Sequence, residues 1–133
     1  MSITEQDQLK MTYYNEALRY LDNAREVLKK AGKEDGDYKD EKYVKMACGT
    51  AYNGVLKALD GYLLLKDIPK EKKRKSIEYY QNNIAKHDKK LLKDLHNVYS
   101  VLHLSGYYDG ITSIAIIEDG FDIANKIIKR IEP

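Results

Sequence analysis

What this chain lacks narrows it first. It has two prolines, Pro69 and Pro133. Proline is the residue that breaks helix interiors, so nearly the whole length is free to be helical. One cysteine, Cys48, excludes an internal disulfide and fits a reducing, cytoplasmic setting. No apolar run approaches the roughly 20 residues that span a bilayer. The opening Met-Ser-Ile-Thr-Glu-Gln-Asp has neither a basic flank nor an apolar stretch, so no signal peptide is expected. There is no strand-like alternation, no repeat and no low-complexity segment. Tryptophan is absent and phenylalanine occurs once, yet there are twelve tyrosines. Tyrosine packs its ring and keeps its hydroxyl near water or a partner, so it favours core edges and interfaces.

The 133 residues suffice for a single domain, 1–133, that buries its own core. Net charge is only +2, but it is unevenly spread. Residues 66–93 hold ten Lys or Arg against four Asp or Glu, whereas residues 94–133 hold three against six. The positive charge is concentrated in one segment.

Apolar periodicity predicts an all-α, antiparallel up-and-down bundle of four to five helices joined by short polar loops. The first helix is expected from Thr4 to Ala31, with Leu9, Tyr13, Ala17, Leu21, Ala24, Leu28 and Ala31 as its stripe and Gly32 as its stop. Residues 32–38 read as a polar loop. A second helix, Asp40 to Lys66, carries Val44, Ala47, Ala51, Val55, Ala58, Leu59, Tyr62 and Leu63. Its Gly49, Gly54 and Gly61 each cost roughly 1 kcal/mol relative to alanine, which calls for close helix–helix approach in return. Pro69 opens a third helix to Lys86, with Ile77, Tyr80 and Ile84 inward. Asp88 caps a fourth, ending near Ser105, with Leu91, Leu95, Val98 and Leu102 in its core. The third and fourth could also form one kinked helix. In Leu-His-Leu-Ser-Gly-Tyr-Tyr-Asp-Gly, residues 102–110, Gly106 suits a left-handed stop and Asp109 a cap for a last helix, Gly110 to Ile131. That last helix carries Ile114, Ile117, Phe121, Ala124, Ile128 and Ile131.

Few residues suggest chemistry. His96 and His103 lie seven apart, two turns along one face, too far for a single ion; His87 stands alone. The expected role of these imidazoles is at the core edge, bonding to tyrosine or backbone. Cys48, between Ala47 and Gly49, reads as a small core residue, not a thiolate nucleophile. The acidic stretch 34–41 lacks the glycine and terminal glutamate of an EF-hand loop. No metal, cofactor or catalytic residue is expected. The basic segment is the sharper feature. Lys70, Lys72, Lys73, Arg74 and Lys75 oppose the dipole of the third helix, and Lys89, Lys90 and Lys93 continue the charge. They read as a solvated face or as a phosphate-binding one, with Tyr107 and Tyr108 free to stack on unpaired bases. A pocket between helices lined by Tyr52, Tyr62, Tyr99 and His103 is a further candidate.

The rhythm of Ala17, Leu21 and Ala24 continues in the small-residue helix Ala51-Tyr52-Asn53-Gly54-Val55-Leu56-Lys57-Ala58-Leu59. With the Tyr-Tyr turn leading to a closing helix with Ala124, it resembles the HEPN superfamily over most of the chain. Those bundles are associated with RNA cleavage, toxin–antitoxin systems and nucleotidyltransferase partners. The whole chain, residues 102–110 in particular, also looks like an uncharacterised bacterial domain family of unknown function, a likeness that implies a fold and no activity. Catalytic HEPN proteins place His four to six residues after Arg. None of Arg19, Arg25, Arg74 and Arg130 has a histidine in that range, so the resemblance implies a member without nuclease chemistry. The expectation is a non-enzymatic interaction module, homodimeric and off the membrane, with RNA binding by residues 70–93 as the alternative.

Overall fold

The computed structural model describes residues 2–68 and 75–133. Ser2 accepts a hydrogen bond from the Glu5 amide (3.1 Å) and so caps α1, Ile3–Lys29. Ala17, Leu21, Ala24 and Leu28 are buried as their spacing requires, but at the start Tyr14 is buried and Tyr13 only half-buried. The Tyr14 hydroxyl donates to Glu132 (2.7 Å), which draws that face toward the chain's end. Gly32 ends the helix region with a left-handed φ of 69°.

The expected polar loop is instead a short antiparallel hairpin, β1 Lys33–Glu34 and β2 Asp37–Tyr38. Asp35 and Gly36 both have positive φ, the pattern of a turn whose twist matches that of paired strands. The Tyr38 amide donates to the Thr112 carbonyl (2.8 Å) and the Ile114 amide to the Gly36 carbonyl (3.1 Å). The hairpin therefore buries Tyr38 and holds the entry to the last helix.

Asp40 caps α2, Glu41–Leu65. A Cβ on Gly54 would lie 3.1 Å from the Ala17 carbonyl oxygen, and one on Gly61 would lie 2.6 Å from Tyr13 Cβ. Close approach of α1 and α2 is thus what these glycines permit. The third helix was expected from Pro69, and residues 69–74 lie outside the described residues. Lys75 and Ser76 are not helical, and Ser76 caps α3, Ile77–Ala85. Asp88 caps α4, Lys89–Val98, through the Leu91 amide (2.9 Å), so α3 and α4 are two helices.

The largest departure follows. The chain does not stop at Ser105 but runs on as a π-helix, Tyr99–Tyr108. Gly106 lies inside it; the left-handed glycine is Gly110, φ 66°. Asp109 closes the π-helix, and Ser113, not Asp109, caps α5, Ile114–Lys129. Ile117, Phe121, Ala124, Ile127, Ile128 and Ile131 complete one continuous core with α1, α2 and α4. The fold is all-α apart from the hairpin, and among the described residues no helix is long and apolar enough to cross a membrane.

Candidate functional site: an aromatic cleft

A π-helix closes its turns with bonds from each amide to the carbonyl five residues back, so residues four and five apart share a face. The Asp109 amide donating to the Leu104 carbonyl (3.0 Å) is such a bond. The wider turn needs a partner that gives way, and α2 supplies small residues there. A Cβ on Gly106 would collide with the Cys48 sulfur, and a Cβ on Gly49 would lie 2.8 Å from the Tyr107 ring. Small residues on both sides let the two helices meet backbone to side chain.

The result is a stack of rings. His103 lies 5.1 Å from Tyr99 and 5.9 Å from Tyr107 between centroids, both near parallel, and edge-on to Tyr108 at 5.0 Å. Across the gap from α2, Tyr52 stacks on His103 at 4.7 Å. The array grades outward. Tyr52 is 7% exposed, whereas Tyr107 is 45% and Tyr108 62% exposed. Burial lowers the pKa of His103 and raises that of Tyr52, so both rings favour their neutral forms.

These rings line a cleft of about 660 Å³ between α2, the entrance to α3 and the π-helix. Its far wall carries Lys75, Ile77 and Tyr80. Asp60 of α2 accepts from Lys75 Nζ (3.0 Å) and from the Tyr80 hydroxyl (2.9 Å). Both members of the ion pair are largely buried, with side chains 11% and 14% exposed. Tyr80 is held protonated by burial first and by the Asp60 charge second.

The sequence candidates divide clearly. Tyr52, Tyr99 and His103 come together, joined by Tyr107 and Tyr108, which had been assigned to a nucleic-acid face. Tyr62 does not line this cleft. It lies under the Lys66 ammonium (5.5 Å), its hydroxyl pKa raised by burial and then by Asp88. Lys75 is not a solvent-facing cation but is committed to Asp60. Lys89, Lys90 and Lys93 are exposed on α4 and do not line the cleft. Lys70, Lys72, Lys73 and Arg74 lie outside the described residues. Met46, Asn53 and Tyr80 also line the cleft and were not singled out for it. Met46 and Asn53 lie three residues before and four residues after Gly49, about one helical turn to either side, which is the signal that could have found them.

Cys48 is sealed beneath this surface, its thiol pushed up to about 12 by burial. His87 and His96 are exposed, and no group of three or more metal-ligating side chains gathers among the described residues. A smaller cavity of about 370 Å³ lies between α1, the hairpin and α5, floored by Leu28, Tyr38 and Phe121. On its rim Lys33 pairs with Glu118 at 3.3 Å.

No curated protein matches this chain. A solved structure, a protein of unknown function from Dyadobacter fermentans, is similar with a TM-score of 0.81 and 43% identity, covering 92% of this chain and 94% of that one. Residues 12–133, which include every element of the cleft, match the family described as Domain of unknown function (DUF5618), and the chain belongs to that family.

Proposed function

We propose that this protein is a non-enzymatic interaction module, HEPN-like in architecture, whose working surface is the aromatic cleft. The observation that carries the reading is the five-ring array around His103, which ends in two rings turned to solvent. An enzyme would need a group poised to move a proton or attack. Here the one thiol is sealed and held protonated, and His103 makes no side-chain hydrogen bond to an acid or hydroxyl among the described residues. Exposed aromatic residues beside a groove are instead what recognition surfaces use. The test is partner capture from cell extract with wild type and with a Tyr107→Ala/Tyr108→Ala variant. A partner kept by wild type and lost by the folded variant supports the cleft; a partner set unchanged by the variant refutes it.

Self-association belongs to the same reading. Leu104 and Ile116 are 40% and 42% exposed outside the cleft and supply apolar contact area for a homodimer. Light scattering on a sizing column reads this directly, and a monomer at high concentration contradicts it.

A second reading, single-stranded RNA binding, is favoured by the exposure of Tyr107 and Tyr108, which suits base stacking. It predicts binding of short single-stranded RNA that collapses between about 50 and 200 mM salt. Reversal of Lys72, Lys73 and Arg74 to Glu should abolish it. Absence of binding at low salt refutes it.

A further inference from the structure

The described lining of the cleft carries little charge. Among the described residues Lys75 is the one Lys, Arg, Asp or Glu in its lining, and its charge is matched by Asp60 at 3.0 Å. Among the described lining residues, that pairing leaves no free cation for a phosphate and no free carboxylate for an ammonium. The remaining polar groups are uncharged. Tyr52 is 7% exposed, and its hydroxyl has no hydrogen-bond partner among the described residues. Tyr52 lines the cleft. A phenol packed this deeply, with no partner among the described residues, is placed to bond something that enters. The Asn53 amide, exposed on the same wall, adds a donor and an acceptor.

The mouth is different in kind. Tyr107 and Tyr108 meet edge to face, 5.2 Å apart at 74°, and so present two flat surfaces at nearly a right angle. Their backs are occupied by His103 and, for Tyr107, by Gly49. A flat ring entering the cleft gains stacking there with no demand on charge. The volume, about 660 Å³, lies within the range of small-molecule sites.

We propose that the cleft takes an uncharged, planar heteroaromatic molecule of nucleoside size, stacked on Tyr108 and edge-on to Tyr107, with its polar edge bonded by the Tyr52 hydroxyl. The inference rests on the cleft being the working surface, and it adds the chemistry of what is recognised.

The test is calorimetric titration of the full chain with adenosine and cytidine, alongside adenosine monophosphate and tetramethylammonium as anionic and cationic probes. The expected result is saturable binding of at least one nucleoside. Tyr108→Ala should weaken it about tenfold by loss of stacking. Tyr52→Phe keeps the ring in the core and should weaken it several-fold, with thermal melts confirming that both variants fold. If the nucleosides are silent while the phosphate or the ammonium probe binds and the same variants weaken it, the ligand class is overturned and the cleft reading stands. If no probe binds, or binding ignores both variants, the ligand class is overturned. If Tyr107→Ala/Tyr108→Ala also leaves partner capture unchanged, the cleft reading falls with it.

Discussion

Gly106 shows how one missing side chain shapes the site. Its Cα faces Cys48, and any Cβ there would overlap that residue's sulfur and Cβ. Gly106→Ala should therefore force the π-helix away from α2 and cost about 1–3 kcal/mol by overpacking. Urea unfolding would read the loss. Cys48→Ala in the same chain removes the sulfur and should return part of it, so the double variant loses less than the sum of the singles. A Gly106→Ala protein as stable as wild type would show that the two helices are not in contact as described. His103 makes a second residue-scale case. Burial lowers its pKa below 6.5, so the folded state favours the neutral ring while the unfolded chain binds a proton at its ordinary value. The stability this contributes is fully present above 6.5 and is lost as pH falls from there toward the folded-state pKa. Among the described residues the facing groups from the π-helix and α2 are tyrosines, and Lys75 is paired. Between about pH 7.5 and 5.5, wild type should lose more melting temperature than His103→Gln does. Equal losses would assign the effect elsewhere.

At the scale of elements, the hairpin and the π-helix were the two surprises, for opposite reasons. The hairpin was legible. Asp35-Gly36 is the dipeptide that a two-residue turn with two positive φ values favours, and it went unused because the flanking strands are only two residues each. A Cβ on Gly36 would meet nothing within 4 Å, so Gly36→Ala isolates the backbone cost. The expected loss is about 1–2 kcal/mol in urea unfolding, with Gly36→Asn costing less because asparagine tolerates the left-handed region. Equal stabilities for all three chains would remove the turn from the account. The π-helix was not legible. Leu91, Leu95, Val98 and Leu102 keep an ordinary helical spacing, and all four are buried as expected. The next turns instead pack on Cys48 and Gly49, more than fifty residues earlier in the chain. Local pattern therefore supported a stop at Gly106, and tertiary packing overrode it. The same limit separated Tyr62 from the pocket. It lies ten residues from Tyr52 on α2, which is not a whole number of turns, so the two rings leave the helix on different faces.

For the whole molecule, the question is what keeps the cleft open to one size. α1, α2, α4 and α5 share a continuous core, whereas α3 adds only Tyr80 and Ile84 to it and meets α2 along a short edge. The far wall of the cleft is thus carried by the least anchored helix, and the tie across the gap is Asp60. One carboxylate on α2 accepts from Lys75 and from Tyr80, fixing the entrance and the first turn of α3 together. Removing one partner of such a largely buried pair strands the other charge, so Asp60→Ala should be more disruptive than its size suggests, by about 2–4 kcal/mol at this partial burial. The loss should be local before it is global. Amide hydrogen exchange should quicken first across Ile77–Ala85, while Leu21, Val55 and Ile128 in the common core keep their protection. The cleft would then lose its far wall without losing its rings, and a ligand stacked on Tyr108 would bind more weakly but still bind. Uniform loss of protection across all helices would mean instead that α3 folds as one unit with the core and that the cleft has no independent wall to move.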